Sequence, residues 1–261
     1  MADFRIRLAS RDAGAQATFL PWDSKFFKRP IYRLDFIWAK SKAAWKQLVG
    51  DLEKVLEARK AAYCFAIIPE ADAGINFLIQ GHWNVVETRV MYWRGNLASF
   101  KPARRFAVRL SKRADLPWLE KTVVAARNPW DRFRGDSFYS DRQVDALMRE
   151  WIRTSVRGTF ADAVIVPDLP RPKAFITLRH LKGGSPRRVK RMGQMALIAV
   201  HPDNPGWFPK LASEALLYFR SKGIFRVTVT TQSENRAVIR TLESLGFHPG
   251  QSQKVLRKVF S

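Results

Sequence analysis

One segment of the chain reads Met195-Ala-Leu-Ile-Ala-Val200-His-Pro-Asp-Asn-Pro-Gly206, an apolar run that turn-forming residues follow. This pattern predicts a buried strand that ends in a loop. Apolar residues then recur with helical spacing over residues 211–218. Phe225-Arg-Val-Thr-Val-Thr-Thr231 alternates and is β-branched, so it predicts a second strand, and helical spacing returns over residues 235–245. Strands that alternate with helices predict an α/β (α+β) fold with a ligand site at the carboxyl ends of neighbouring strands.

The charge of the chain predicts an anionic partner. Lysine and arginine number 46 against 23 aspartates and glutamates, which gives a formal net charge of +23 over 261 residues. Such a balance favours nucleotides, phosphorylated ligands, nucleic acid, acidic proteins or membrane lipids as partners. A basic surface without a specific partner is the alternative. The hydrophobic content of 46% is sufficient for a packed core and excludes a disordered chain.

Cysteine usage and hydropathy predict a cytoplasmic protein. Cys64 is the only cysteine, so no disulfide can form within the chain. The first residues lack the apolar stretch of a secretion signal. No apolar run approaches the roughly 20 residues that a membrane span requires.

The amino-terminal part repeats the element order of the carboxyl-terminal end. Strands are predicted over residues 31–38, 63–68 and 85–93, and helices over residues 44–59 and 73–80. Residues 62–94 and 224–260 both follow the order strand, helix, glycine, strand, with Gly81 and Gly246 at the helix ends. This is a repeat of architecture and not of sequence identity.

A junction is predicted at Lys101-Pro-Ala-Arg-Arg105, because an apolar strand ends before it and a new one follows. The predicted domains are therefore 1–100, a half-domain, and 101–261, the main domain. The remaining predicted elements of the main domain are strands at 106–110, 163–166, 174–178 and 251–260, helices at 116–126 and 141–156, an aromatic and basic loop at 128–140, and a basic, solvent-exposed hairpin tip at 182–191.

Several catalytic patterns are absent from the sequence. The Gly-x-Ser-x-Gly, Gly-x-Gly-x-x-Gly and P-loop patterns do not occur, which argues against hydrolases, dehydrogenases and kinases. The chain has no Cys-x-x-Cys, and its four histidines lack metal-ligand spacing, so no metal site is expected.

Four short motifs carry a resemblance to a known family. They are Leu197-Ile-Ala-Val-His-Pro202, Thr230-Thr-Gln232, Asn235 and Leu245-Gly-Phe247. With the order of predicted elements, they resemble the GNAT family of N-acetyltransferases. The resemblance implies a mixed central sheet that is splayed at two adjacent strands, and acetyl (acyl) transfer from acetyl-CoA to a primary amine.

Three further motifs resemble one group within that family, the dTDP-fucosamine acetyltransferases, which act on nucleotide amino sugars. The motifs are Leu20-Pro-Trp-Asp-Ser-Lys-Phe-Phe27, Asp131-Arg-Phe-Arg134 and Trp151-Ile-Arg-Thr-Ser-Val-Arg-Gly158. This resemblance implies an amino-terminal GNAT-like half-domain and a small anionic acceptor.

The resemblance also implies a set of donor-binding residues. Backbone groups of Leu197, Ile198, Ala199 and Val200 would pair with the amides of pantetheine, as an added strand does. Amide groups where the next helix starts, near residue 210, would hold the pyrophosphate. The residues expected there are Gly206, Trp207, Lys210, Leu211 and Ser213. Gln232 and Asn235 would contact the pantetheine arm, and a helix cap is the alternative role of Asn235.

Acceptor binding and proton transfer need other residues. Arg132, Arg134 and Arg157 are expected to recognise phosphate, and for each of them a surface or structural ion pair is the alternative. The candidates for proton transfer are His201 and Tyr139. Water is the alternative to Tyr139, whose ring would otherwise be a packed loop aromatic.

Two departures from the family pattern keep other functions open. The pyrophosphate loop of the family resembles Arg/Gln-x-x-Gly-x-Gly/Ala, whereas this chain has Asn204-Pro-Gly206-Trp-Phe-Pro-Lys210-Leu-Ala-Ser213. Leu242 occupies the position of the usual proton-donating tyrosine. The alternatives are therefore an acyltransferase that takes its acyl group from an acidic acyl carrier protein, and a non-enzymatic scaffold that binds nucleic acid or another polyanion.

Overall fold

A computed structural model describes residues 4–181 and 192–260 of the chain, and the predicted hairpin tip at 182–191 lies outside the described residues. Within them the chain forms eleven strands and seven helices. The strands are β1 (Arg5–Ala9), β2 (Ala13–Phe19), β3 (Ile31–Ala39), β4 (Tyr63–Pro69), β5 (Asn84–Arg94), β6 (Val108–Leu110), β7 (Ala163–Pro167), β8 (Ala174–Leu181), β9 (Met192–Val200), β10 (Arg226–Gln232) and β11 (His248–Val259). The helices are α1 (Pro21–Phe27), α2 (Lys42–Ala58), α3 (Gly74–Gln80), α4 (Leu116–Ala125), α5 (Asp141–Val156), α6 (Trp207–Ser221) and α7 (Arg236–Ser244).

Two compact units divide the chain. The first contains the residues up to Arg89, the short segment Gly135–Phe138, and the end of the chain from Gln251. The second contains Val90–Arg134 and Tyr139–Gly250. The sequence-based division at 100/101 differs from this arrangement, because it has one boundary and no returning segments.

The first unit has six strands in the order β1-β2-β3-β4-β11-β5, with β3 and β4 parallel. Helix α2 buries one face, which includes Trp45, Leu48 and Leu52, in the hydrophobic core of this unit. The segment 135–138 belongs to the unit because the buried Asp136 carboxylate accepts a hydrogen bond from the Tyr63 hydroxyl at 2.8 Å. A buried carboxylate without a partner would be costly, so this contact fixes the segment.

The second unit holds β5 only from Val90 onward, and its strand order is β5-β10-β9-β8-β7-β6. Strands β9 and β10 are parallel, and β6 to β9 are antiparallel to one another. Helix α6 covers this sheet with completely buried side chains that include Leu211, Leu216 and Phe219. Helix α5 begins at Asp141, as predicted, because Ser140 and Gln143 form a capping box.

The sequence-predicted elements are present, and most bounds shift by a few residues. Strands β1 and β2 and helix α1 were not predicted. The residues Ala13-Gly-Ala-Gln-Ala-Thr-Phe19 have low strand propensity. Pairing with both β1 and β3 determines their conformation instead. Strand β6 is shorter than predicted, and α6 begins at Trp207 rather than near residue 210.

The predicted architectural repeat is confirmed at the level of hydrogen bonds. At the end of α3 the Trp83 amide donates to the Leu78 carbonyl at 3.0 Å, and at the end of α7 the Phe247 amide donates to the Leu242 carbonyl at 2.9 Å. Both ends therefore form a Schellman motif. The left-handed residue is His82 (φ 61°) in the first case and Gly246 (φ 71°) in the second. Gly81 does not have the role that Gly246 has, because its φ is −79°.

No helix in the described part of the chain is both long and apolar enough to cross a bilayer.

Candidate acyl-donor site

Strands β9 and β10 part before they end. Their parallel register runs from Met192↔Arg226 to Met195↔Val229, although β9 continues to Val200 and β10 to Gln232. Within the described residues, no register pair joins residues 196–200 to residues 230–232. We call this gap the strand opening, and it confirms the predicted splay between two adjacent strands.

A bulge in β9 lies beside the strand opening. The register between β8 and β9 shifts between Ile176 and Leu178. The Thr177 side chain is fully buried. Its hydroxyl accepts a hydrogen bond from the Leu197 amide at 2.7 Å and donates one to the Leu197 carbonyl at 3.2 Å. Thr177 thus turns the backbone groups of Leu197 toward β8. Sequence reasoning missed Thr177, because nothing in the pattern of β8 indicated a bulge.

Strand geometry then determines which backbone groups face the strand opening. Backbone groups of successive residues point to opposite edges of a strand. Leu197 faces β8, and the His201 amide donates to the Lys173 carbonyl on the same side at 2.9 Å. The intervening Ala199 faces β8 as well, so Ile198 and Val200 present their N–H and C=O groups to the strand opening. Two of the four predicted pantetheine-pairing residues therefore have that orientation.

The amino terminus of α6 follows β9 after a short loop. Gly206 is the N-cap residue, and its φ of 80° is a left-handed conformation that favours glycine. Helix geometry leaves the first amides without a partner inside the helix, and these belong to Trp207 and Phe208, whereas Pro209 has none. The Lys210 ammonium lies 4.7 Å from the centre of the Trp207 ring. The result is a positively charged helix start with one amide fewer than usual.

The other predicted pyrophosphate ligands lie deeper in α6. Leu211 is completely buried, and Ser213 is 5% exposed. Both side chains lie inside the fold, because the helix starts earlier than the sequence predicted. Next to them, the buried Glu214 carboxylate accepts the Phe106 amide at 2.8 Å and forms a bidentate ion pair with Arg105. These contacts fix the middle of α6, and sequence reasoning did not identify them.

The carboxyl end of β10 carries two amide side chains. The Asn128 side chain donates to the Gln232 side-chain oxygen at 2.7 Å, which fixes the start of the 128–140 loop at the strand opening. The Asn235 side chain accepts the Val238 amide at 3.3 Å, so its predicted role as a helix cap is confirmed. Its role in binding pantetheine stays a prediction.

Asp131 is a carboxylate that sequence reasoning did not assign a role. One of its oxygens accepts the Phe133 and Arg134 amides at 2.8 and 3.1 Å. Burial raises the pKa of the Asp131 carboxyl above its usual value, against the opposing effect of these hydrogen bonds. The Asp131 amide donates to the Asn128 carbonyl at 3.5 Å, so Asp131 belongs to the turn that Asn128 fixes to Gln232 at the end of β10. A raised pKa in a buried position was the missing signal, and it cannot be seen in the sequence.

The three arginines predicted to bind phosphate do not form one cluster. The Arg134 side chain is 6% exposed and pairs with Asp141 and Asp145 on the first turns of α5. Arg157 caps the other end of that 16-residue helix, about 24 Å away. The Arg132 guanidinium packs 4.3 Å from the centre of the Phe133 ring, in the loop that begins at Asn128. Arg134 thus has the structural role that the sequence left open as its alternative.

The two predicted proton-transfer residues differ in their environment. The Tyr139 ring is 7% exposed and packs edge-on against Phe133, which fits the alternative of a packed loop aromatic. His201 directly follows β9, and its Nδ1 accepts the Asp203 amide at 3.2 Å. A neutral imidazole that accepts at Nδ1 carries its proton on Nε2. In that tautomer His201 presents a hydrogen-bond donor at Nε2.

Leu242 is completely buried in the core of the second unit. Its position has no hydroxyl group to protonate a leaving thiolate. Within residues 4–181 and 192–260, no three His, Cys, Asp or Glu side chains form a group that could hold a metal ion.

Comparison with known proteins identifies the fold. No protein-family model and no curated protein matches the sequence. A GCN5-related N-acetyltransferase from Sphaerobacter thermophilus is 13% identical, with 96% of this chain and 81% of that chain covered and a TM-score of 0.59. A tandem GNAT protein from the clavulanic acid biosynthesis pathway is 11% identical, with 98% and 83% covered and a TM-score of 0.56.

A third solved structure is a GCN5-related glucosamine N-acetyltransferase region of a fungal multi-domain GH3 β-N-acetylglucosaminidase. It is 14% identical, with 95% of this chain and 31% of that chain covered and a TM-score of 0.61. At such identities the likeness concerns the fold. The chain has the mixed α/β fold of the GNAT N-acetyltransferases.

Proposed function

We propose that this protein is an acyl-CoA-dependent N-acyltransferase that acylates a primary amine of a small anionic acceptor. The observation that carries the proposal is the strand opening, where Ile198 and Val200 present backbone groups of β9 beside the amino terminus of α6. An extended chain of amides can pair with such an edge as an added strand does. A pyrophosphate attached to that chain would meet the positive end of the helix.

The residues near the strand opening supply a reaction sequence. The acceptor amine must lose a proton before it attacks the thioester carbonyl carbon. Asp131 takes that proton, directly or through one water, since burial raises the pKa of its carboxyl toward the range useful to a general base. The new C–N bond forms, the C–S bond breaks, and the departing thiolate takes up the proton that Asp131 received, through water, while the His201 Nε2–H is the proposed hydrogen-bond donor to the sulfur. The role of Tyr139 in proton transfer stays a prediction, and it is less well supported than the role of His201, because the Tyr139 ring is packed against Phe133.

The proposed acceptor is anionic, and a nucleotide amino sugar is the specific candidate. The net charge of +23 favours an anionic molecule on encounter. The similar fold of the glucosamine N-acetyltransferase region named above supports an amino sugar as the candidate acceptor. We further propose that the reaction takes place in the cytoplasm.

The decisive experiment is calorimetric titration with acetyl-CoA, and the absence of binding at millimolar donor would refute the proposal. A matched pair of variants tests the geometry. Ile198→Pro removes an amide that faces the strand opening, whereas Ala199→Pro removes one that faces β8. We expect Ile198→Pro to weaken donor binding at least tenfold, and Ala199→Pro to lower the melting temperature more than Ile198→Pro does, because only Ala199→Pro removes a hydrogen bond within the sheet.

A second candidate keeps the chemistry and changes the donor. Pro209 removes one amide from the start of α6, so this helix start binds a pyrophosphate less tightly. A donor that lacks the pyrophosphate of coenzyme A loses no affinity through this missing amide. An acidic acyl carrier protein, which carries acyl-phosphopantetheine, also suits a net charge of +23. Transfer from acylated carrier protein at a kcat/KM far above that with free acyl-CoA supports this candidate, and equal values contradict it.

A non-enzymatic scaffold is the remaining alternative, and the buried Leu242 favours it. Its signature is a strongly salt-dependent affinity for RNA or DNA without acyl transfer to any amine. That result in the same titrations would replace the enzymatic proposal.

A further inference from the structure

A cavity of the second unit has a volume of about 480 Å³ and lies at the amino-terminal end of β10. Its walls come from the end of β5, the start of β10 and the turn that follows α7. We call it the distal cavity and define it by Trp93, Arg94, Asn96, Phe225, Arg226 and His248. None of these residues has a role in the proposed acyl transfer.

Two guanidinium groups line the distal cavity without an internal counter-charge. Arg94 donates through Nη1 to the Leu245 carbonyl at the end of α7, and its buried Nε has no hydrogen-bond partner among the described residues. Burial lowers the pKa of the Arg94 guanidinium. Among those same residues, neither Arg94 nor Arg226 forms an ion pair, and no aspartate or glutamate lines the cavity. A cation in this setting favours an anion from outside the chain.

Aromatic rings form the apolar part of the same cavity. The Arg226 guanidinium lies 4.7 Å from the centre of the Trp93 ring, and the His248 ring lies 5.4 Å from it. Phe225 is 37% exposed although it is a large apolar side chain. Planar side chains next to a guanidinium favour a ligand with a ring of its own, because rings and guanidinium planes stack on one another.

The distal cavity is separate from the strand opening. Arg226 begins β10, Gln232 ends it, and the strand has seven residues. The two ends are about 20 Å apart, since a strand rises roughly 3.3 Å per residue. The paired part of β9 and β10, from Met192↔Arg226 to Met195↔Val229, lies between the strand opening and the distal cavity.

We infer that the distal cavity binds a small anion that carries a planar ring. The ring packs against Trp93 and Phe225, and the anionic group pairs with the guanidinium groups of Arg226 and Arg94. The shared chemistry is a phosphate or carboxylate attached to an aromatic or heteroaromatic ring. The site goes beyond the proposed acyl transfer and does not depend on it.

Titration calorimetry with four probes tests the inference on the full-length protein. Adenosine monophosphate and indole-3-carboxylate each combine a ring with an anion, inorganic phosphate has no ring, and adenosine has no anion. We expect at least one of the first two to bind ten times more tightly than phosphate or adenosine. Whichever of the two binds identifies phosphate or carboxylate as the anionic group.

Two variants locate the binding. Arg226→Ala removes an exposed cation of the distal cavity, and Arg240→Ala removes an exposed cation from α7, so both variants change the net charge equally. We expect Arg226→Ala to weaken the bound probe at least tenfold and Arg240→Ala to change its affinity less than twofold. Arg226→Ala should leave acetyl-CoA affinity unchanged, and Ile198→Pro should leave probe affinity unchanged. The inference is overturned if neither ring-bearing anion binds, or if both arginine variants weaken the probe equally.

Discussion

Thr177 gives one buried hydroxyl two hydrogen bonds at the bulge of β9, and it holds Leu197 toward β8. Thr177→Val keeps the shape of the side chain and removes both hydrogen bonds, which leaves the partly buried Leu197 amide without its Thr177 partner. We expect a loss of about 1–3 kcal/mol in the free energy of unfolding, measured by urea denaturation. If acyl-CoA uses the strand opening, its affinity should fall as well, because Ile198 and Val200 lose their fixed direction.

Thr177→Ser is the control for this prediction, because it keeps the hydroxyl and removes only a methyl group. It should retain most of the donor affinity. Equal stability and equal affinity in Thr177→Val and the wild-type protein would contradict the role assigned to the hydroxyl.

The role proposed for Asp131 predicts how kcat/KM depends on pH. Its carboxylate is the form that accepts a proton, and burial raises the pKa of the carboxyl. The value of kcat/KM should therefore rise as the pH rises through that elevated pKa. In Asp131→Asn this acidic limb should disappear and kcat should fall about 10²-fold or more, as for the loss of a general base.

The same pKa shift has a consequence for stability, with the opposite dependence on pH. A folded-state pKa above the unfolded value means that the folded state binds the proton more tightly. The stabilisation is present below the unfolded pKa and is lost as the pH rises through the folded pKa. Asp12→Asn changes an exposed aspartate of the first unit, so it is the control for the pH dependence of both activity and stability. An unchanged acidic limb in Asp131→Asn would assign proton transfer to another group.

At the scale of elements, the Schellman motifs that end α3 and α7 differ in their left-handed residue, which is His82 after α3 and Gly246 after α7. His82 has a positive φ of 61°, a conformation that costs a side-chain-bearing residue roughly 1 kcal/mol relative to glycine. His82→Gly should therefore raise the free energy of unfolding by about 0.5–1 kcal/mol. The measurement is chemical denaturation at equilibrium.

His82→Asn and His82→Val are the companions of that variant. Asparagine tolerates the left-handed region and should be close to neutral, whereas the β-branched valine should destabilise the protein. Gly246→Ala should be costly for two reasons, since its φ is also positive and the Arg94 guanidinium occupies the space of an added methyl group. A destabilised His82→Gly would mean that the His82 side chain makes a contribution larger than the backbone strain.

Periodicity was sufficient to predict most elements, and the missed ones show its limits. Helix α5 could be predicted to the residue, because its apolar face, Ser140 and Gln143 all agree. Strand β2 could not, since its alanines and glycine become a strand only through their neighbours β1 and β3. Short, weakly apolar strands depend on partners that are distant in the sequence.

The strand opening was predictable in outline and not in detail. The resemblance to the GNAT family implied two splayed strands, and the register of β9 and β10 agrees. The division of residues 197–200 into two that face β8 and two that face the gap depends on the bulge at Thr177. The partners of Arg134 were visible in principle, because Asp141 and Asp145 are four residues apart on one face of a predicted helix.

At the scale of the whole molecule, the net charge of +23 predicts how ionic strength affects the reaction. A basic protein attracts an anionic acceptor over distances comparable to the Debye length, about 8 Å at physiological salt. The kcat/KM for an anionic amine should fall as sodium chloride is raised from 50 to about 500 mM. A neutral amine of similar size should show little change, and parallel curves for the two amines would remove the electrostatic argument for the acceptor.

The division of the chain also concerns the whole molecule. Tyr92, Leu97 and Phe100 are buried in the core of the second unit, although they precede the sequence-predicted boundary at 100/101. Removing a large core side chain costs about 3–5 kcal/mol, and net stability is typically only 5–15 kcal/mol. A fragment 101–261 would lack these three core side chains, and we therefore expect it not to fold stably.

The strand opening has one more consequence, which concerns handling of the protein. The backbone groups of Ile198 and Val200 that would receive a donor are chemically the edge of a β-sheet. Such an edge pairs with any extended backbone, including that of a partly unfolded neighbour. Without a bound donor the protein thus carries a template for self-association inside the sheet of the second unit, and a bound donor would act as a protective strand during storage.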